Sequence, residues 1–259
     1  MPEQKHYEQL GIARDGDVVT VTMRERGRAM HTELSRVFAE LRADPCRVVV
    51  LTGEGEHFLG AVNLAEYVAT DEQAWQQSMR EARWIVRDAL DLPQPLVVAL
   101  NGDGIGLGAS LMSLADIVVA AEGCVIGESH VEMGIAAGDG GTLTFPFLLG
   151  IHRAKRFFLL NERITVEELH ELGVVTAVVP RAELAAATAE VVEKLLAMPS
   201  AALQWTKASV NRVLQLSAFM GVDSAIGHEG WSWHLAPARE GTEALRRRSL
   251  AQDDEPPPR

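Results

Sequence analysis

At 259 residues and 47% apolar content the chain can fold as one large α/β domain, or one domain with an appendage, around a sizeable core. Thirty-six acidic against twenty-four basic residues give a formal charge of −12, which argues against nucleic acid or an anionic membrane as partner. Met1-Pro-Glu-Gln-Lys-His6 holds no apolar signal core and no run approaches the roughly 18 apolar residues that span a bilayer, so a cytosolic address is expected. Asp17-Val-Val-Thr-Val-Thr-Met23 alternates and is β-branched, which predicts a strand, and a basic loop follows as far as Arg28. Leu34, Val37, Phe38 and Leu41 then fall at helical spacing before the buried strand Arg47-Val-Val-Val-Leu51, completing a βαβ unit. Cys46 and Cys124 sit beside apolar runs and read as small core residues, with no structural metal expected. After the turn Thr52-Gly-Glu-Gly-Glu56, residues Trp75, Met79, Ala82, Val86 and Ala89 mark one face of a helix.

The strand Pro95-Leu-Val-Val-Ala-Leu100 runs into Asn101-Gly-Asp-Gly-Ile-Gly-Leu-Gly108. Glycines at this density admit backbone with φ > 0 and let a ligand lie on main-chain N–H groups; a strand turning through them into a helix can aim those donors at an anion. A short buried helix is predicted over 107–115, strands over 117–121 and 124–126, and an irregular loop over 128–141 whose length and polarity mark it as functional or disordered. Thr165-Val-Glu-Glu168 is a capping-box pattern opening a helix that Gly173 closes, and 174–179 is a last strand. Beyond Pro180 the pattern is helical: over 183–197, over 201–216 with Ser200 as cap, near 219–235, and from Gly241. Arg246-Arg247-Arg248 reads as a solvated helix face, and residues 252–259 cannot bury apolar surface and are expected to be disordered.

Several segments, in one order and spacing, carry a family resemblance: Val48-Val-Val-Leu-Thr-Gly-Glu-Gly55, Phe58-Leu-Gly-Ala-Val-Asn-Leu64, Pro95-Leu-Val-Val-Ala-Leu-Asn-Gly102, Ala115-Asp-Ile-Val-Val-Ala-Ala121, Gly138-Asp-Gly-Gly-Thr142 and Arg239-Glu-Gly-Thr-Glu-Ala244. Over about residues 12–250 the chain resembles the crotonase (enoyl-CoA hydratase/isomerase) superfamily. The resemblance implies an α/β fold with a repeated ββα spiral core over 1–200 and a helical C-terminal region over 201–251 that assembles a homotrimer or a dimer of trimers. Trp205, Phe219, Trp231 and Trp233 in that tail need burial, within the chain or against another copy.

The same resemblance implies an oxyanion hole built from the backbone N–H groups of Val62 and Leu107, with Gly106 and Gly108 permitting the geometry. Leu107 stands where the family has a glycine. The two glutamates of family hydratases fall on Ser110 and His130, which makes hydration of an enoyl double bond an unexpected activity for this chain. A serine cannot transfer protons as a carboxylate does near neutral pH, whereas a histidine can. Asp139 follows His130 with Gly134 and Gly138 between them, so the loop can fold back and let the carboxylate orient the imidazole as a base toward water. The pattern Gly127-Glu-Ser-His-Val-Glu-Met-Gly-Ile-Ala-Ala-Gly-Asp-Gly140 resembles the 6-oxocamphor hydrolase and β-diketone hydrolase branch, which cleaves carbon–carbon bonds of 1,3-diketones by a retro-Claisen reaction without coenzyme A. That likeness implies catalytic roles for His130, Asp139, His31 and Glu229, a small-molecule diketone substrate and no cofactor; Ser110 joins the substrate-binding set with Val62, Gly106 and Leu107. Read without it, His31 is a surface residue at a helix start and Glu229 a solvated helix residue. Pocket shape is expected from Leu64, Tyr67, Trp84 and Met133. Two other functions stay open: a coenzyme A thioester isomerase, lyase or hydrolase using His130 or Asp139 as base, and a non-catalytic assembly protein.

Overall fold

The computed structural model describes residues 7–24, 28–59 and 72–235, with 240, 241 and 243 beyond them. Its main sheet runs β1 (Leu10–Asp15), β2 (Val18–Met23), β3 (Val48–Gly53), β4 (Leu96–Leu100), β6 (Ile117–Ala121) and β9 (Ala177–Val179) in that spatial order. β1 and β2 form an antiparallel hairpin and every later pairing is parallel, so Val21, Leu51, Val98 and Val118 lie in line across the sheet. A smaller sheet orders β5 (Gly104–Ile105), β7 (Val125–Gly127) and β8 (Ile164–Thr165).

The two sheets repeat one plan. A main-sheet strand is followed by a short pairing in the small layer and then by a helix: β4, β5 and α3 (Leu107–Leu114); β6, β7 and α4 (Gly141–Leu149). β3 does the same through an isolated bridge from Leu59 to Gly104, ahead of α2 (Glu72–Leu90). The chain thus winds as an α/β spiral of ββα units. α1 (Arg28–Leu41) is the crossover from β2 to β3 and buries Leu34, Val37, Phe38 and Leu41 against the sheet, each contributing about 1.5–3 kcal/mol by removal from water. Cys46 and Cys124 are free thiols in that core.

The remaining helices are α5 (Ile151–Leu159), α6 (Val166–Glu171), α7 (Leu184–Leu196), α8 (Ser200–Val210) and α9 (Arg212–Trp233). The capping box is present on α6, with Thr165 Oγ1 accepting Glu168 N–H at 3.2 Å and the Glu168 carboxylate accepting Thr165 N–H. Ser200 is the first residue of α8 and makes no capping bond, and the expected break near 217–218 falls instead at Asn211, whose amide donates to Leu90 O at 3.2 Å. Of the helix expected from Gly241, only positions 241 and 243 belong to the described residues. Among the described residues no helix is long and apolar enough to cross a membrane.

The glycine turn is where the layers come closest. Asn101, at the end of β4, donates to Gly53 O and Gly55 O at 2.8 Å and accepts Gly53 N–H at 3.0 Å, tying β4 to the turn after β3. A Cβ at Gly108 would stand 2.3 Å from Leu59 O, and Gly106 has φ +58, so neither position admits a side chain without displacement or strain.

Candidate active site

Four parts of the chain converge on a cavity of about 70 Å³: the glycine turn with the start of α3, the 128–140 loop, the C-terminal half of α9, and the facing sides of α1 and α2. His130 and Asp139 line it from the loop, Glu229 and Trp233 from α9, His31 from α1, Trp75 and Met79 from α2, and Gly106 and Leu107 from the turn. The loop expected to be irregular is tied down. Its one helical turn is closed by Met133 N to Ser129 O and Ile135 N to His130 O, and Ala136 N–H donates to Ser232 Oγ of α9 at 2.9 Å. A larger surface groove, about 650 Å³, runs between α2 and α9 past Leu216 and Phe219 and carries none of these groups.

Within the cavity the polar contacts differ from the expected His–Asp pair. His130 Nδ1 is hydrogen-bonded to Glu128 Oε1, not to Asp139. Asp139 Oδ1 accepts instead from Ser110 Oγ at 2.8 Å, and Ser110 Oγ also accepts Gly141 N–H at 3.1 Å. Ser110 is 1% exposed and is not among the residues that line the cavity; its hydroxyl is committed to Asp139 and Gly141. The reason is positional: Glu128, two residues ahead of His130, already lies beside the ring, and α3 presents Ser110 to the other end of the loop.

The electrostatics follow from burial of several acids around one imidazole. Burial opposes charge on His130, but Glu128 beside it, with Asp139 and Glu229 further off, holds its pKa well above the usual histidine value. Burial likewise works against ionised Glu128, yet the His130 charge and hydrogen bonds from His130 and Ser129 leave its pKa below the ordinary carboxylate value. Asp139 is raised by burial and by Glu128, against the opposing pull of His130. Glu229 is pushed up to about 7 by burial first, with Asp139 and Glu128 adding to it and His130 working the other way. Its Oε1 stands 3.9 Å from His130 Nε2, and its buried Oε2 finds no hydrogen-bond partner among the described residues. Glu128, His130 and Asp139 each offer a ligating atom within 4.8 Å of the others, and one atom of each is already hydrogen-bonded: Glu128 Oε1 with His130 Nδ1, and Asp139 Oδ1 with Ser110.

His31 is buried in α1 and its Nδ1 lies 3.4 Å from Glu81 Oε2 on α2, so it is not the surface residue that its position alone suggests. Glu229 is 7% exposed, which removes the solvated reading for it as well. Trp84 is 46% exposed and does not line the cavity; Met133 does, and the wall that sequence reasoning missed is Trp233 packed edge-on to Trp75 at 5.1 Å. Val62, Leu64 and Tyr67 lie outside the described residues. Leu107 heads α3, where a helix's first amides have no carbonyl of their own to bond. The missed residue of most consequence is Glu128. Its signal was an acid set directly after a buried apolar strand and immediately before the turn that carries a candidate histidine.

Residues 15–226 match the model of the enoyl-CoA hydratase/isomerase family. The chain belongs to this crotonase family. An enoyl-CoA hydratase/isomerase from Mycobacterium paratuberculosis superposes with a TM-score of 0.86 at 29% identity, covering 92% of this chain and 100% of that one. A beta-diketone hydrolase from the cyanobacterium Anabaena sp. PCC 7120, bound to (S)-3-oxocyclohexyl acetic acid, superposes at 0.82 with 25% identity, covering 92% and 96%. The 1,2-epoxyphenylacetyl-CoA isomerase of Escherichia coli is 28% identical over 221 residues, 83% of this chain and 84% of its own. This crotonase therefore stands near coenzyme A enzymes and a diketone hydrolase alike, and its own cavity has to separate them.

Proposed function

We propose that this crotonase hydrolyses a carbon–carbon bond of a 1,3-diketone, cyclic in the preferred case, by a retro-Claisen reaction that needs no cofactor. The observation that carries the reading is the pairing across the cavity of His130 Nε2 with Glu229 Oε1, 3.9 Å apart, in a chain whose family resemblance puts Ser110 and His130 at the hydratase glutamate positions. A water off the axis between those two atoms reaches both at about 2.8 Å.

In the reaction the Glu229 carboxylate takes a proton from that water as its oxygen bonds to one carbonyl carbon. His130 Nε2–H and the Leu107 N–H donate to the oxygen that becomes anionic; the Val62 N–H is the second backbone donor that the resemblance implies. The tetrahedral anion then collapses, the C–C bond breaks, and its electron pair leaves as an enolate stabilised by the second carbonyl. The proton on Glu229 passes to the enolate carbon, giving a keto acid and regenerating the carboxylate. Asp139, braced by Ser110, and His31, against Glu81, complete the polar wall. Trp75, Trp233 and Met79 supply an apolar face suited to a carbocyclic ring.

Loss of the enol absorbance of a cyclic 1,3-diketone tests the reading: the parent consumes it and His130→Ala, folded by circular dichroism, does not. Equal consumption by the variant rejects the assignment. A coenzyme A thioester reaction is the second reading, favoured by the name of the Escherichia coli isomerase, and calorimetric binding of acetyl-CoA together with an inert diketone would establish it instead. Neither binding nor turnover would leave an assembly role. For assembly we propose a homotrimer or dimer of trimers through the exposed Trp205, Phe219 and Trp231 of α8 and α9, checked by light scattering.

A further inference from the structure

We propose that Glu128 is the positioning residue of the site: it fixes His130 through Nδ1 so that the ring presents an Nε2–H donor to the cavity, leaving proton acceptance to Glu229. This deepens the hydrolase reading and rests on it for its kinetic arm only.

One oxygen of Glu128 does the work. Oε1 accepts Ser129 N–H at 2.7 Å, His130 N–H at 3.1 Å and the His130 ring nitrogen Nδ1, in a side chain whose residue is 2% exposed. An oxygen that takes two backbone donors and faces a ring nitrogen carries no hydrogen of its own and can only accept. The hydrogen of the Nδ1 contact must then sit on the histidine. The same carboxylate bonds the backbone of the turn that carries the ring, so main chain and imidazole are held as one unit. On its other side the ring abuts the glycine turn, where a Cβ on Gly106 would come to 3.7 Å from His130 Cε1.

With Nδ1 committed, only Nε2 can act on a ligand, and its protonation decides whether it gives or takes a proton. Among the described residues the ionisable groups around the ring are Glu128 and Asp139 from the loop, Glu229 from α9, and His31 from α1, which itself faces Glu81 of α2. Three carboxylates converge on the imidazole, with one other histidine in the same cavity, so the field favours the imidazolium. An imidazole held in its charged form donates to a substrate oxygen and is no base. Asp139 cannot substitute for Glu128, because its Oδ1 is taken by the Ser110 hydroxyl.

The test reads His130 directly. In full-length protein carrying labelled histidine, with the signal assigned by loss in His130→Gln, the ring nitrogen and Cε1–H resonances report protonation across pH 5–9. The parent ring is expected to stay doubly protonated at pH 7.5. In Glu128→Gln, which retains an acceptor oxygen and loses the charge, the titration is expected to fall by at least about one unit and kcat by about tenfold or more, with KM little changed. A parent ring that is neutral at Nε2 at pH 7.5 overturns the proposal without any variant, as does an unmoved titration in folded Glu128→Gln. No diketone turnover with the titration shift intact upholds the role of Glu128 and removes the hydrolase reading alone.

Discussion

Ser110 Oγ donates to Asp139 Oδ1 at 2.8 Å and accepts Gly141 N–H at 3.1 Å, so a single hydroxyl joins α3 to the end of the site loop and the start of α4. All three groups are buried. Removing the hydroxyl leaves a buried carboxylate and a buried amide short of a partner, each an uncompensated desolvation.

Ser110→Ala is therefore expected to destabilise the fold by about 1–3 kcal/mol in urea denaturation. The Ser110 bond lowers the Asp139 pKa against the upward effect of burial, so its loss raises that pKa further. Ionisation of Asp139 then opposes folding more strongly, and the deficit should be larger at pH 8 than at pH 5. An equal deficit at both values would mean that the bond stabilises the neutral and charged acid alike.

Glu229→Gln should stabilise the protein while abolishing turnover. In the folded state Glu229 titrates at about 7, above its ordinary value of 4.5. Between those values the folded chain holds a proton that the unfolded chain has lost, so stability falls as pH rises through that window and the loss is complete above it. The amide removes that penalty, a gain on the order of 3 kcal/mol at pH 8 that vanishes near pH 4. Parallel denaturation curves of parent and variant across pH 4–8 check it. In the parent, kcat/KM should rise with pH through about 7 as Glu229 becomes the carboxylate that accepts the water proton.

How far the sequence disclosed this site depends on what each residue's signal was. The β2–α1–β3 unit was legible because Val19, Val21, Leu34, Val37 and Phe38 keep the period of their element and are all buried. β1 was not, because only Leu10 of its six residues is buried and an edge strand with Arg14 and Asp15 reads as loop. α4 was missed too: apolar residues surround it without a stripe, and Pro146 lies inside it. Family likeness brought His130, Asp139, His31 and Glu229 forward, and they do line one cavity. It could not assign the hydrogen bonds among them. Those depend on the turn at 129–135 and on the approach of α9, neither of which spacing along the chain encodes.

Lys207 is expected to be a main tie between α8 and the sheet. Its Nζ lies 2.6 Å from Asp116 Oδ2 and 2.8 Å from Gln94 O, and Asp116 Oδ2 also accepts Leu96 N–H at 2.7 Å where β4 begins. The Lys207 side chain is 7% exposed, and its pKa is lowered by burial against the pull of Asp116. Lys207→Met strands the carboxylate and should cost about 3 kcal/mol in thermal or urea unfolding. Adding Asp116→Asn should recover part of that loss, and a double variant no more stable than the single one would show that the ion pair is not its source.

Gly138→Ala probes the seam between the loop and α9 from a position outside the polar cluster. A Cβ there would stand 2.6 Å from Ala225 O and 2.7 Å from Glu229 Oε2, so either the helix or the glutamate must move. Ala225 O belongs to helix backbone and cannot yield alone, and the displacement therefore carries Glu229 away from His130. A misplacement near 1 Å is enough to cost about 10²-fold in rate. The variant should lose kcat/KM on that scale while its His130 titration stays close to the parent's, since Glu128 holds the ring from the opposite side. Diketone kinetics and the histidine resonances, recorded on the same sample, separate a moved base from a collapsed loop: a collapse would shift both.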